Sequence, residues 1–153
     1  MGSELAAAHS RVGPVHSAVL APRSISISDL SGVQKFTLHH KPDVVLNAAA
    51  YTAVDEAEQD PEAAFRVNCT GAENVALAAR SVRARVLYVS TEAVFDGTRS
   101  APVAEGDICN PLSQYAKSKH AGEGAVLEVS EYNWVLRTSW LYSKKGTTNF
   151  PYR

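Results

Sequence analysis

A tyrosine and a lysine four residues apart are the side chains of this 153-residue chain whose types and spacing suggest chemistry. Tyr115 and Lys119 share one face of a predicted helix, because residues four apart are neighbours on an α-helix. An ammonium group beside a phenol stabilises the phenolate, so the spacing predicts a pKa for Tyr115 below its usual value of about 10. Such a tyrosine can donate a proton to a carbonyl oxygen as hydride arrives at the carbon.

The context of this pair decides how much weight it carries. The spacing arises often by chance, and by itself it supports a surface tyrosine beside a solvated lysine equally well. The predicted helix, however, follows a strand that ends at Ser90 and Thr91, and a hydroxyl there can bind the same carbonyl oxygen. The periodicity and the position of this pair leave both interpretations open. Carbonyl reduction is the more specific of the two.

Three short apolar runs predict the strands that position these residues. The runs are residues 44–46, 86–89 and 134–136, and each is apolar without alternation, which is typical of strands buried on both faces. They predict strands over residues 43–47, 85–90 and 134–138. Helical segments separate the runs, so the order predicts βαβ units. We therefore expect an α/β fold with a doubly wound, Rossmann-like parallel sheet and helices on both faces. A weaker strand candidate lies near residues 15–20.

Proline and capping signals set the predicted helix boundaries. Asp60 and Pro61 predict the start of one helix, because Asp60 can cap it and Pro61 fits its first position. An earlier helix begins near Leu30 and must end before Pro42, since proline disfavours a helical predecessor. Two further helices are predicted near residues 3–9 and 112–129.

Small and polar residues follow each predicted strand, at residues 47–51, 90–91 and 137–140. In an open α/β sheet, the loops at the carboxyl ends of the strands line the ligand crevice. The longest irregular segment, residues 95–111, also follows a strand. Each segment alone reads as ordinary loop sequence, but together they predict a ligand site at this edge of the sheet.

Composition and charge narrow the classes of function. The net charge is −1, with 45% hydrophobic and 20% charged residues, which fits one globular domain over residues 1–153. A nucleic-acid site would need a basic excess, and no apolar run approaches the roughly 20 residues that span a bilayer. We therefore expect no nucleic acid and no membrane among the partners, and a cytoplasmic location.

Neither the cysteines nor the histidines follow a site pattern. Cys69 and Cys109 predict reduced thiols rather than a disulfide framework. The five histidines show no ligand spacing, so we expect no metal site. The dinucleotide fingerprint Gly-x-Gly-x-x-Gly is also missing, because the one Gly-x-Gly, at residues 122–124, lies inside a predicted helix.

Five segments together resemble one family, the dTDP-4-dehydrorhamnose reductases, which are extended short-chain dehydrogenases/reductases. The segments are residues 41–55, residues 67–74, residues 90–91 with 94–98, residues 110–112 with 115–119 and 121–123, and residues 137–142, and the resemblance runs almost without gaps from residue 41 to residue 150. As a set, these motifs are highly specific.

The resemblance implies a reaction and the residues that perform it. The reaction is the reduction of the 4-keto group of dTDP-4-dehydro-L-rhamnose to dTDP-L-rhamnose, with NADP or NAD as the cofactor in its reduced form. Tyr115 would donate the proton and Thr91 would bind the carbonyl oxygen. Lys119 would hold the nicotinamide ribose and lower the pKa of Tyr115.

The resemblance also assigns binding residues. Ala49, Ala50 and Tyr51 match the segment that runs beside the cofactor, which Tyr115 and Lys119 would contact as well.

On the substrate side, the resemblance places Thr91, Glu92 and Trp140 against the sugar nucleotide. The family usually has Asp-Tyr after its Ser-Thr pair, whereas this chain has Glu92 and Ala93. A longer acid and a missing ring imply that the sugar sits differently here.

The ends of the chain carry further expectations from the resemblance. Residues 2–5 match the end of the family's glycine loop, so we expect the first strand to lie before Met1 and the C-terminal substrate lobe to be missing. The domain would then be incomplete, and we expect the 153-residue chain to bind NADPH or NADH weakly or not at all. The expected partners are a sugar nucleotide and a second copy of the chain in a homodimer.

Two other interpretations remain beside the reductase. One is a non-catalytic binding or regulatory protein on the same scaffold, a use that the regulatory beta subunit of methionine adenosyltransferase shows for a relative of this family. The other is an inactive truncated product.

Overall fold

The computed structural model describes residues 18–141 of the chain. In chain order its elements are α1 (Leu30–His40), β1 (Val44–Asn47), α2 (Val54–Gln59), α3 (Pro61–Phe65), a π-helical turn (Arg66–Thr70), α4 (Gly71–Ser81), β2 (Arg85–Thr91), a 3-10 turn (Glu92–Val94), α5 (Gln114–Val129) and β3 (Trp134–Thr138). The helix predicted near residues 3–9 lies outside the described residues. So do residues 15–17 of the weak strand candidate, and residues 18–20 are not in a strand.

The three predicted strands form one parallel sheet in the order β1-β2-β3. Leu46 pairs with Leu87 across the first interface, and Val89 pairs with Leu136 across the second. The α/β fold class and the parallel pairing of β2 with β3 are therefore confirmed. Since the strands are parallel, their carboxyl ends lie along one edge of the sheet.

Within residues 18–141, the helices cover one face of this sheet. Val86 and Tyr88 of β2 are fully buried in a core that includes residues of α4 and Val126 of α5. The alternate positions face the other way, and on the outer strands Leu46 and Leu136 are 40% and 46% exposed. The described helices thus account for one of the two helical layers that the sequence predicts.

Local capping explains where the helices begin. The Asp60 carboxylate accepts a hydrogen bond from the backbone N–H of Ala63 at 3.0 Å, with Pro61 at the first helical position. The Ser113 hydroxyl does the same for Ala116 at 3.1 Å, so α5 begins at Gln114, two residues later than predicted.

The helix that precedes β1 ends as the sequence predicts. Its last residue is His40, and Lys41 adopts the left-handed conformation with φ 44° directly before Pro42. The chain then turns into β1 at Val44.

A glycine lets α5 approach the π-helical turn closely. A Cβ atom added at Gly122 would collide with the backbone oxygen of Asn68 and would lie 2.7 Å from the Tyr88 hydroxyl. The Gly-x-Gly of residues 122–124 lies inside a helix, as the sequence predicts, and Gly122 is the member of the pair that allows the close packing.

None of the helices in residues 18–141 has the length and apolar character needed to cross a membrane. Both cysteines, Cys69 and Cys109, are free thiols, in agreement with the prediction.

Candidate active site

The carboxyl end of β2 and the first turn of α5 bring two of the predicted residues together. Thr91 is the last residue of β2, and Tyr115 is the second residue of α5. The hydroxyl groups of Thr91 and Tyr115 lie within hydrogen-bonding reach of each other. The Thr91 oxygen also accepts the backbone N–H of Ala93 at 3.2 Å, which fixes its position.

The pKa of Tyr115 differs from the sequence prediction. Burial raises it above the ordinary value, the nearby Thr91 hydroxyl offsets part of that rise, and the charge of Glu92 adds to it. The expected lowering by Lys119 does not occur in this structure. Tyr115 therefore carries its proton at neutral pH, as a proton donor must.

The direction of the Lys119 side chain explains this correction. Its ammonium group donates to the backbone oxygen of Val89 at 2.7 Å and lies 4.0 Å from the centre of the Tyr88 ring. These contacts hold the charge against β2, one helical turn below Tyr115.

Lys119 is itself strongly perturbed. It is 1% exposed, and burial lowers its pKa to about 8, with a smaller opposing effect from the Glu123 carboxylate. A lysine ammonium has three N–H donors, and the Val89 oxygen uses one of them. Among residues 18–141, Val89 is the one hydrogen-bond acceptor of this ammonium group, whose charge also faces the Tyr88 ring.

The ring of Tyr88 packs against the ammonium group of Lys119. Its hydroxyl donates to the backbone oxygen of Asn68 at 2.8 Å, and burial raises its pKa far above the ordinary value. The ring is therefore fixed and neutral, and its face attracts the lysine charge.

Asn68 in the π-helical turn links the cofactor segment of the prediction to α5. Its side-chain oxygen accepts the backbone N–H of Tyr51 at 2.8 Å, and its amide nitrogen donates to the Tyr51 backbone oxygen at 3.0 Å. The same nitrogen donates to the Ser118 hydroxyl at 2.9 Å. Residues 49–51 are thereby held beside the helix that carries Tyr115 and Lys119.

Asn47 provides an unused donor at the same edge. It is the last residue of β1 and 3% exposed, and its side-chain oxygen accepts the backbone N–H of Ala49 at 3.2 Å. Its amide nitrogen is buried and has no hydrogen-bond partner among residues 18–141. A buried donor without a partner costs free energy unless a ligand or water satisfies it.

A buried ion pair supports the far side of the site. The Ser90 hydroxyl donates to the Glu123 carboxylate at 2.5 Å, and the Arg137 guanidinium binds the same carboxylate at 2.7 Å. Burial alone would raise the pKa of Glu123, but these hydrogen bonds outweigh it and lower the pKa. The pair joins β2, β3 and α5 directly behind Thr91.

The residues predicted for the sugar nucleotide lie at the exposed rim. Glu92 follows Thr91 in the 3-10 turn, and the Thr91 hydroxyl donates to its carboxylate at 3.1 Å. Trp140 lies two residues beyond β3 and is 74% exposed. Thr91 pairs with Thr138, so Trp140 extends from the same edge of the sheet as the other site residues.

The match to a family model decides what kind of protein this arrangement belongs to. The model described as the RmlD substrate binding domain matches residues 1–152. The chain belongs to the RmlD family.

Two curated relatives in the RmlD family show the extent of the similarity. The dTDP-4-dehydrorhamnose reductase of Salmonella typhimurium is 44% identical over 119 residues, which cover 78% of this chain and 40% of that protein. The enzyme of the same name from Streptomyces griseus is 40% identical over 147 residues, which cover 95% of this chain and 48% of that protein. The chain thus spans less than half the length of these relatives.

A solved structure confirms the fold. The dTDP-4-dehydrorhamnose reductase of Bacillus anthracis, in complex with NADP, is 35% identical to this chain. It superposes with a TM-score of 0.87 over 95% of this chain and 51% of that one. The Rossmann-like α/β fold of the RmlD family is therefore established for this chain.

The described residues fit one end of a nicotinamide cofactor. Lys119 has unused N–H donors, and the buried amide of Asn47 lacks a partner. Both lie at the carboxyl edge of the sheet, where open α/β sheets bind their ligands. Ribose hydroxyl and amide oxygens are acceptors that such donors can satisfy.

Asn47 and Asn68 were absent from the predicted site residues. Asn47 directly follows an apolar run, so its burial could have been inferred from the sequence. Asn68 stands in the middle of a predicted helix, and its partners Tyr51 and Ser118 lie 17 and 50 residues away. Only the three-dimensional structure shows that it joins the two.

Proposed function

We propose that the protein is a dTDP-4-dehydrorhamnose reductase, which reduces the 4-keto group of dTDP-4-dehydro-L-rhamnose with NADPH or NADH. The observation that carries this proposal is the placement of Tyr115, in the first turn of α5, beside Thr91 at the carboxyl end of β2. The similarity to curated reductases of this name supports the choice of substrate.

Tyr115 and Thr91 have different roles in the proposed reaction. The reduced nicotinamide, when bound, supplies a hydride to the carbonyl carbon. Tyr115 gives its hydroxyl proton to the carbonyl oxygen, so that the ketone becomes an alcohol, and water then restores the proton. The Thr91 hydroxyl donates to the same oxygen and stabilises the negative charge that develops there.

The binding residues are part of the same proposal. We propose that Lys119 donates to the nicotinamide ribose and that Ala49, Ala50 and Tyr51 line the cofactor. We assign the sugar nucleotide to Thr91, Glu92 and Trp140.

The proposed setting is a single partial NAD(P)-binding domain over residues 1–153, in a cytoplasmic homodimer. The free thiols of Cys69 and Cys109 are consistent with a reducing compartment. A non-catalytic NAD(P)-binding or regulatory protein is the alternative, which the missing Gly-x-Gly-x-x-Gly sequence favours.

The test is a hybrid in which this chain replaces the matching 48% of the Streptomyces griseus enzyme. Oxidation of NADPH in the presence of the 4-keto sugar nucleotide is followed by absorbance. Tyr115→Phe removes only the hydroxyl, so turnover should fall by roughly 10²–10⁴-fold while the hybrid stays folded.

The matched control is Tyr132→Phe, because Tyr132 is exposed and lies before β3, at the opposite edge of the sheet. It should leave turnover unchanged. A folded hybrid that binds NADPH but oxidises none of it would favour the non-catalytic alternative. Near-parental turnover in Tyr115→Phe would remove Tyr115 from the mechanism.

A further inference from the structure

Three side chains with metal-binding donors converge beside the proposed active site. The sulfur of Cys109, a ring nitrogen of His120 and a carboxylate oxygen of Glu123 all lie within 4.8 Å of one another. Cys109 comes from the irregular segment before α5, whereas His120 and Glu123 are one turn apart on α5. The proposed reduction uses none of the three as a reacting group. We propose that Cys109, His120 and Glu123 form a binding site for a zinc-like transition-metal ion.

The donor set selects the class of metal. A thiolate, an imidazole and a carboxylate are the ligands that Zn²⁺ takes in proteins, whereas Mg²⁺ and Ca²⁺ prefer oxygen ligands alone. Three protein donors leave a fourth position for water, as in open zinc sites.

The spacing of the donors is close to that of a metal site. His120 Nδ1 already lies 3.4 Å from Glu123 Oε2, a separation that two ligands of one ion can have. With metal–ligand distances of about 2.0–2.3 Å, the farther donors must move together by about 1 Å. The His120 side chain is 44% exposed, so it can make this shift and an ion can enter from solvent.

The contact between Arg137 and Glu123 limits the affinity of the proposed site for a metal ion. Its guanidinium holds Glu123 at 2.7 Å, so a metal ion must share the carboxylate with Arg137 or displace it. The same arginine donates to the backbone oxygen of Glu105 at 3.3 Å. Metal binding is therefore expected to compete with the ion pair between Arg137 and Glu123, and not with the contact to Glu105.

Cobalt(II) is the probe, because a thiolate ligand gives it an intense near-ultraviolet charge-transfer band. The reduced 153-residue chain is titrated with Co²⁺ without oxygen, and we expect one equivalent to produce the band. Cys109→Ser should abolish the band, and His120→Gln should weaken Co²⁺ binding by roughly tenfold or more. Zn²⁺ added afterwards should displace Co²⁺ and bleach the band.

Matched controls use the same residue types elsewhere. Cys69→Ser and His40→Gln should leave the band and the affinity unchanged, and circular dichroism checks that each variant is folded. If Cys109→Ser fails to fold, His120→Gln still tests the proposal, because the His120 side chain is 44% exposed. A band that survives in Cys109→Ser, disappears in Cys69→Ser or never forms in the parent chain would overturn the proposal.

Discussion

Burial acts on Tyr115 and Lys119 with the same physical result. It disfavours the charged form of each, so the pKa of the phenol rises while the pKa of the ammonium falls to about 8. In each case burial favours the uncharged form of the side chain. Reactive groups with such shifted values are common in active sites, and here they lie on one helix beside Thr91.

The lowered pKa of Lys119 predicts how stability depends on pH. Between pH about 8 and 10.5, the folded chain has released this proton while the unfolded chain still holds it. The unfolded state then binds more protons, so the contribution of Lys119 to the free energy of unfolding increases as pH rises. Across the whole window the gain is on the order of 3 kcal/mol, since each pKa unit corresponds to about 1.4 kcal/mol.

The measurement is urea unfolding of the parent chain and of Lys119→Met from pH 7 to 10. The stability of the parent relative to Lys119→Met should rise over this range. This difference isolates Lys119 from Tyr88 and Tyr115, whose raised pKa values act in the opposite direction at alkaline pH. Lys117→Met, at an exposed position on the same helix, is the control. A flat or falling difference for Lys119→Met would contradict the prediction.

At the scale of single residues, the sequence identifies candidates better than it identifies their partners. The spacing of Tyr115 and Lys119 is local, and so is the position of Thr91 at the end of an apolar run. The partners of Lys119, however, are on β2 about 30 residues earlier in the chain. The sequence therefore locates the lysine correctly but assigns its charge to the wrong neighbour.

At the scale of elements, the contact between α5 and the π-helical turn determines the geometry of the site. The turn presents the backbone oxygen of Asn68 to Tyr88, and Gly122 allows α5 to lie directly against it. Through this contact, one side chain, that of Asn68, reaches both the Tyr51 backbone and Ser118.

Two glycines of α5 give opposite predictions for the same substitution. Gly122→Ala should destabilise the fold by about 1–3 kcal/mol, because the new methyl group collides with Asn68 and Tyr88. Gly124→Ala should stabilise it by up to about 1 kcal/mol, because Gly124 is exposed, has open space around it and lies in a helix. Urea unfolding followed by circular dichroism measures both. Equal effects of the two substitutions would show that the close approach does not exist.

Helix boundaries were predictable wherever a local signal determines them. Asp60 with Pro61 starts α3, and Pro42 limits α1, as expected. The π-helical turn has no such signal, because it depends on packing against α5 and β2. The start of α5 lies two residues after the predicted residue 112, because the Ser113 hydroxyl supplies the cap.

At the scale of the whole molecule, the sheet has one covered face within residues 18–141. The apolar side chains Val44, Leu46, Trp134 and Leu136 are exposed on the other face. The uninterrupted apolar runs correctly predict strands of a parallel sheet, but they predict burial on both faces, which the described residues provide on one. Half of each relative lies outside the region that this chain matches.

Cofactor affinity is the property that this architecture limits most directly. In the proposed function, Lys119 and Asn47 would offer donors to the nicotinamide end of a dinucleotide. The pyrophosphate needs a row of backbone N–H groups at a helix N-terminus, and the chain has no Gly-x-Gly-x-x-Gly sequence to provide it. We therefore predict that the 153-residue chain binds NADPH with a Kd of roughly 100 µM or weaker, which corresponds to less than about 6 kcal/mol of binding free energy. Calorimetric titration measures this, with the Bacillus anthracis reductase as the positive control. Low-micromolar binding by the isolated chain would show that its own residues hold the pyrophosphate without that motif.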